Sequence, residues 1–121
     1  MSKESVKINI SRKQLAAKLR TLVFKEEEVH IVYLPGFKIS GYGETIEEAY
    51  ELAKLSLRDF ADNLFKLPES KIYQTLRELG WEKDKYLKKQ MRNLSETTFE
   101  DIKREFNIPD NTPIHESSLS V

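Results

Sequence analysis

The chain has 121 residues, of which 39% are hydrophobic and 33% charged, as expected for one small globular domain with a modest core. It has no cysteine, which excludes disulfides and thiolate metal sites, and two histidines are too few for a histidine-rich metal site. No apolar run reaches the roughly 18–20 residues of a membrane span, and no signal-peptide core follows the start. We therefore expect a cytoplasmic protein with no membrane contact, metal or cofactor.

Charge is distributed unevenly along the chain although the net charge is zero. Residues 1–25 carry seven basic residues against one acid, whereas residues 26–65 carry nine acids against three basic residues. Two interpretations are open. Either the two regions neutralise each other within one fold or across a dimer, or the acidic region faces a basic partner.

The N-terminal segment contains two short patterns. Val6–Ile10 alternates apolar and polar residues, which predicts a strand. Ser11 and Gln14 form a capping-box pattern, which predicts a short helix from residue 12 to about residue 20.

Three apolar runs then predict an antiparallel meander. Thr21–Phe24 and Val29–Leu34 are rich in β-branched and aromatic residues, and the charged loop 25–28 separates them. The third run is Phe37–Tyr42. We expect these runs to form three neighbouring strands.

Glycine, proline and threonine mark the turns around this third strand. Pro35 followed by Gly36 suits a type II turn, in which the glycine takes a positive φ. Gly41 and Gly43 stand where the chain must leave the sheet sharply. Thr45, three residues before a glutamate, predicts a helix N-cap.

A long amphipathic helix is expected from residue 46 to about residue 65, with one apolar stripe at helical spacing. The predicted fold class is therefore α+β, with a small antiparallel sheet of three or four strands packed on this helix. Leu52 and Leu55 lie off the stripe, so a second element or a second subunit is expected to cover them, and a dimer is the expected assembly.

The C-terminal part is expected to be mainly helical. Pro68 precedes a helical pattern that Gly80 ends, and Phe99–Phe106 forms a second helical pattern. Ile114–Val121 is interpreted as a final strand. The expected organisation is an N-terminal arm at 1–20, a β-β-β-α module at 21–66, and a helical appendage with that final strand at 67–121.

Motifs in the module resemble the HicB antitoxin family. They are the corner Leu34-Pro35-Gly36 and the turn and helix start Gly43-Glu44-Thr45-Ile46-Glu47-Glu48-Ala49. The resemblance implies a partial RNase H fold without nuclease activity. It also implies binding to a small HicA-type toxin that cleaves mRNA, and, in many members, a C-terminal domain that binds operator DNA.

The candidate binding residues fall into two groups. The toxin-binding candidates are the acids of the predicted helix start: Glu44, Glu47, Glu48 and Glu51. The nucleic-acid-binding candidates are the basic residues of a later stretch: Lys83, Lys85, Lys88, Lys89 and Arg92. The alternative interpretation is that this stretch is a solvated helix face that binds no nucleic acid. No catalytic constellation is recognised, so the expected protein is a non-catalytic antitoxin. The alternatives are a nucleic-acid-binding regulator and a HicB-fold interaction protein without a toxin.

Overall fold

A computed structural model describes residues 4–83, 90–93, 99–106, 108 and 112–120. The fold is α+β. The strands are β1 (Ser5–Asn9), β2 (Gln14–Glu26), β3 (Val29–Leu34), β4 (Ile39–Gly43), β5 (Trp81–Lys83), β6 (Gln90–Asn93) and β7 (Ile114–Ser120). The helices are α1 (Ile46–Leu64), α2 (Glu69–Glu78) and α3 (Phe99–Glu105). Among the described residues the sheet has seven antiparallel strands, so the expected three or four strands were too few. Strands β5 and β6 come from the C-terminal part that was expected to be mainly helical, whereas β7 matches the predicted final strand.

β2 is the central strand of the sheet. It pairs with β1 through residues 14–18, with β3 through 22–26 and with β7 through 18–24. A strand residue can have one paired neighbour on each edge of the strand. Residues 22–24 pair with both β3 and β7, so β3 and β7 lie on opposite edges of β2. Lys18 pairs with both β1 and β7, so β1 also lies opposite β7. β7 therefore covers one edge of β2, whereas β1 and β3 lie end to end along the other. β4 extends the sheet beyond β3, and β6 and β5 extend it beyond β1.

The first half of β2 replaces the predicted helix at 12–20, which was wrong. Ser11 lies in a tight turn in which the Asn9 side-chain oxygen accepts hydrogen bonds from the Ser11 hydroxyl and the Arg12 amide. After this turn Ala17 and Leu19 are buried. This alternation is the strand period, and burial of one face in a sheet outweighs the good helix propensity of alanine, leucine and lysine.

Each face of the sheet has its own apolar core. On one face, the buried side chains of the strands pack against α1 and α2, which contribute Ala49, Ala53, Leu57, Leu64, Ile72 and Leu76. On the other face, α3 and the segment after it cover Leu22, Phe24 and Tyr33 with Ile102 and Ile108. The Phe106 ring meets Phe24 and Tyr33 edge-on, with ring centroids 5.5 and 4.9 Å apart.

The turn between β3 and β4 differs from the predicted type II turn. The Phe37 amide donates to the Leu34 carbonyl at 3.2 Å, and the Lys38 amide donates to the Pro35 carbonyl at 3.3 Å. The positive φ, 54°, belongs to Lys38 and not to Gly36. The turn thus takes four residues, and Phe37 is buried in it instead of starting the next strand.

Helix α1 lies unusually close to β4. A Cβ atom added at Gly41 would stand 2.2 Å from the Ala49 carbonyl oxygen and 2.4 Å from the Ala53 nitrogen. Glycine in the strand and alanine in the helix thus allow the two backbones to touch.

Across the described ranges, no helix is both long and apolar enough to cross a membrane.

Candidate functional site

Two acidic segments that are separate in the sequence meet at one end of the sheet. β3 begins next to the β2–β3 turn, and the pairing of His30 with Gly43 places the end of β4 beside it. The turn residues therefore lie next to the start of α1. We call this surface the acidic end; its members are all exposed: Glu26, Glu27, Glu28, Glu44, Glu47, Glu48 and Glu51. It contains all four predicted toxin-binding residues.

Hydrogen bonds fix the start of α1 within the acidic end. The Thr45 hydroxyl oxygen accepts a hydrogen bond from the Glu48 amide at 3.1 Å, which makes Thr45 the N-cap residue. The Glu48 carboxylate in turn accepts from the Glu44 amide at 3.0 Å. Glu51 lies 3.7 Å from the Lys54 ammonium. Glu47 and Glu48 belong to the first turn of α1, where the helix dipole favours negative charge.

Exposed apolar side chains accompany these acids. Tyr42 is 66% exposed, Ile46 42% and Val29 39%. Tyr42 and Val29 border a groove of about 340 Å³ that Glu26 and Glu27 also line. The acidic end therefore combines negative charge with apolar anchors, which suits a protein partner better than a small ion.

The predicted nucleic-acid-binding residues are only partly described. Lys83 is exposed on β5, and its ammonium lies 4.1 Å above the centre of the Tyr73 ring. Arg92 is exposed on β6, opposite Glu82 of β5. Lys85, Lys88 and Lys89 lie outside the described residues. Since both ends of this stretch belong to strands, the interpretation of 83–92 as a helix face was wrong at those ends.

Strand pairing places Arg92 in a group of basic residues that sequence reasoning missed. Ser5 of β1 pairs with Lys18 on one side and with Arg92 on the other, so the three side chains share one face of the sheet. Lys7 follows two residues along β1 on the same face. We call Lys7, Lys18 and Arg92, all exposed, the basic face. The sequence signal was the alternation of lysines with apolar residues in β1 and β2, which the expected helix concealed.

A mixed cluster of charges borders the basic face. Arg20 of β2 forms an ion pair with Glu116 of β7. The Glu4 carboxylate accepts a hydrogen bond from the Arg20 backbone amide, but its Oε2 atom is buried without a hydrogen-bond partner among the described groups. Burial raises the pKa of Glu4 from 4.5 to about 7, although the positive charge of Arg20 acts in the opposite direction.

No protein-family model matches this chain, and no curated protein or solved structure is significantly similar to it. Within the described residues, no group of three or more histidine, aspartate or glutamate side chains is placed to hold a metal ion. Function is therefore inferred from the acidic end, from the basic face and from the resemblance of the turn motifs.

Proposed function

We propose that this protein is a HicB-like antitoxin. It is a non-catalytic cytoplasmic protein that binds a small, basic, mRNA-cleaving toxin of the HicA type and blocks its active surface. Strands β2, β3 and β4 with α1 form an antiparallel meander backed by a helix. In this proposal that unit is the partial RNase H module which the motif resemblance implies.

The observation that carries the proposal is the convergence at the acidic end. The pairing of His30 with Gly43 joins the acids of the β2–β3 turn to those of α1, and exposed Tyr42 and Ile46 stand beside them. A protein that acts on RNA needs a positive surface for the phosphates, so its active surface is complementary in charge to this end. The apolar side chains supply contact area that charge alone does not.

The test is a comparison of tagged proteins, used to capture partners from the native host at low salt. One bait is the wild type, a second carries Glu44→Lys and Glu47→Lys, and a third carries Glu69→Lys and Glu78→Lys on α2. The last two have the same net charge, and all four substituted residues are exposed. We expect the wild type and the α2 variant to retain a small basic protein in equal molar amount, and the α1 variant to lose it.

A functional readout must accompany this capture. The retained protein is purified and its cleavage of an mRNA is measured while wild-type protein is added. The antitoxin function predicts that cleavage stops at an equimolar ratio. If no small basic protein is retained, if both variants retain it equally, or if cleavage continues, the proposal is wrong.

The basic face supports a second candidate, binding to nucleic acid. Lys7, Lys18 and Arg92 share three adjacent strands, and small Ser5 lies between two of them. Adjacent strands are about 4.8 Å apart, so long cationic side chains in this arrangement can reach several phosphates of one backbone. Operator DNA is the ligand that the family resemblance would imply.

Fluorescence anisotropy with a labelled DNA duplex of 20 base pairs, an RNA duplex of the same length and a single strand tests this candidate. One variant carries glutamine at Lys7, Lys18 and Arg92. The control carries glutamine at three exposed lysines elsewhere: Lys38, Lys66 and Lys71. Log affinity falls as log salt rises. If the basic face contacts phosphates, removing three cations makes this slope less negative by about 2–3, and the control leaves it unchanged. Equal effects of both variants, or no binding of the wild type at about 50 mM salt, would contradict this candidate.

A further inference from the structure

The outer edge of β4 is where the sheet ends beside the acidic end. β4 pairs with β3 along its inner edge, and within the described part of the chain no strand pairs with its outer edge. Ser40 and Tyr42 of this strand are exposed. An edge strand carries a row of backbone N–H and C=O groups that can pair with an added strand.

One flank of α1 overhangs this open edge. The Glu48 Cβ atom stands 2.5 Å from the position that a Cβ of Gly43 would take, so this flank lies over the end of β4. Leu52 follows Glu48 by four residues and therefore belongs to the same flank, whereas Leu55 lies on the side of α1 opposite its buried residues Ala49, Ala53 and Leu57. The opposite flank of α1 borders the β1–β2 hairpin instead. Leu52 is half-buried, so this flank offers apolar surface to whatever lies along the edge.

The other face of the same edge is bordered by the groove of about 340 Å³. Here Tyr42 and Val29 provide apolar surface, and Glu26 and Glu27 provide negative charge. A strand added to β4 would direct alternate side chains to these two sides. One set would meet Leu52 on the flank of α1, and the other set would meet glutamates and a tyrosine ring in the groove.

The charge of the groove favours a basic occupant for this edge. A basic segment added to β4 meets the opposite sign at Glu26 and Glu27, and opposite charges across an interface favour association. A second copy that pairs through β4 is the competing occupant, and in that case residues 39–43 are protected without any added peptide.

We propose that an extended segment of the basic partner adds to β4 as a further strand. Its apolar side chains lie on Leu52, and its cationic side chains lie in the groove beside Glu26 and Glu27. This inference rests on the proposed antitoxin function, because that function supplies the basic partner.

Hydrogen–deuterium exchange of the full chain tests the added strand directly. The probe is a decapeptide of alternating lysine and valine, and the matched control is the same peptide with every backbone amide N-methylated. We expect the alternating peptide to slow exchange of the outward-facing amides within residues 39–43 by about tenfold or more, because those amides become hydrogen-bonded. The methylated peptide has the same charge and side chains but cannot pair as a strand. Equal protection by both peptides, or no protection by either, overturns the proposal.

A pair of leucine variants tests the overhang of α1. Leu52→Lys should weaken binding of the alternating peptide about tenfold, whereas Leu55→Lys, on the outward side of the same helix, should change it less than about twofold. Equal weakening by the two variants contradicts the proposed position of the strand.

The same experiments separate this inference from the antitoxin function. If a toxin captured by the wild type leaves residues 39–43 unprotected, the added strand is wrong while the antitoxin function stands. If the peptide protects these residues and no basic protein is captured, the edge site stands and the antitoxin function fails.

Discussion

The indole Nε1 of Trp81 donates a hydrogen bond of 2.8 Å to the backbone carbonyl of Gly36. This bond joins β5 to the turn between β3 and β4, which lies 45 residues earlier in the chain. The Trp81 ring also stacks on Phe37 of the same turn, with ring centroids 5.4 Å apart. The strand order of the sheet is β4-β3-β2-β1-β6-β5. One buried side chain thus joins β5, at one end of this order, to the turn that connects β3 and β4 at the other end.

Trp81→Phe should lower the free energy of unfolding by about 2–4 kcal/mol, because the Gly36 carbonyl loses its partner and the smaller ring leaves space. Urea denaturation at neutral pH measures this loss. Tyr42→Phe, which removes a polar group from an exposed ring, should change the free energy by less than about 0.5 kcal/mol. A Trp81→Phe protein as stable as the wild type would show that the bond contributes nothing.

Gly41→Ala should destabilise the protein by about 3 kcal/mol or more, because the new methyl group meets the backbone of α1 rather than a flexible side chain. Ser40→Ala on the same strand is the control, since Ser40 is exposed. Thermal unfolding of both variants provides the comparison. A folded Gly41→Ala protein with an unchanged midpoint would mean that α1 does not lie this close to β4.

Thr45→Ala should cost about 1 kcal/mol, because the Glu48 amide loses the hydroxyl oxygen that caps the helix. Thr45→Ser keeps that oxygen and should retain most of the free energy of unfolding that Thr45→Ala loses. Circular dichroism during urea denaturation gives both values. If the serine variant is as unstable as the alanine variant, the loss does not come from the cap.

Glu4 should make stability depend on pH near neutrality. Burial raises its folded-state pKa from 4.5 to about 7, so between these pH values the native protein holds a proton that the unfolded chain releases. This contribution is present below pH 4.5 and is lost as pH rises toward 7. Glu4→Gln should therefore reduce the fall in melting temperature between about pH 5 and pH 8. The exposed Glu78→Gln variant should follow the wild type, and a Glu4→Gln protein that also follows it would contradict the assignment to Glu4.

Local signals predicted some elements well. The bounds of α1 followed from a capping threonine and a long apolar stripe of helical period, and the stripe residues Ala49, Ala53 and Leu57 are buried as expected. Strand β1 and the final strand β7 were also predicted. In these segments, local pattern and tertiary burial agree.

Where local preference and long-range pairing disagreed, the prediction failed. The Ser11 to Gln14 pattern favoured a helix, but pairing with β1 and β7 made that segment part of β2. The expected positive φ at Gly36 occurs at Lys38, because the turn takes four residues instead of two. The pairing of β3 with β4 decides the length of this turn, and no local sequence pattern specifies it.

The two candidate surfaces differ in the same way. The acids of α1 are close together in the sequence, so their clustering could be predicted, whereas their meeting with the β2–β3 turn depends on the pairing of His30 with Gly43. The basic face joins Lys7, Lys18 and Arg92, which only strand pairing brings together.

The pairing of β7 with β2 has a consequence for synthesis on the ribosome. Arg20 and its ion-pair partner Glu116 are 96 residues apart, so one edge of the central strand remains open until nearly all of the intervening chain has been made. At typical translation rates this interval is on the order of 5 to 20 s. During that time the nascent chain exposes an apolar strand edge to its neighbours on the polysome. Its yield should therefore depend on translation speed and on chaperones that hold the edge until β7 emerges.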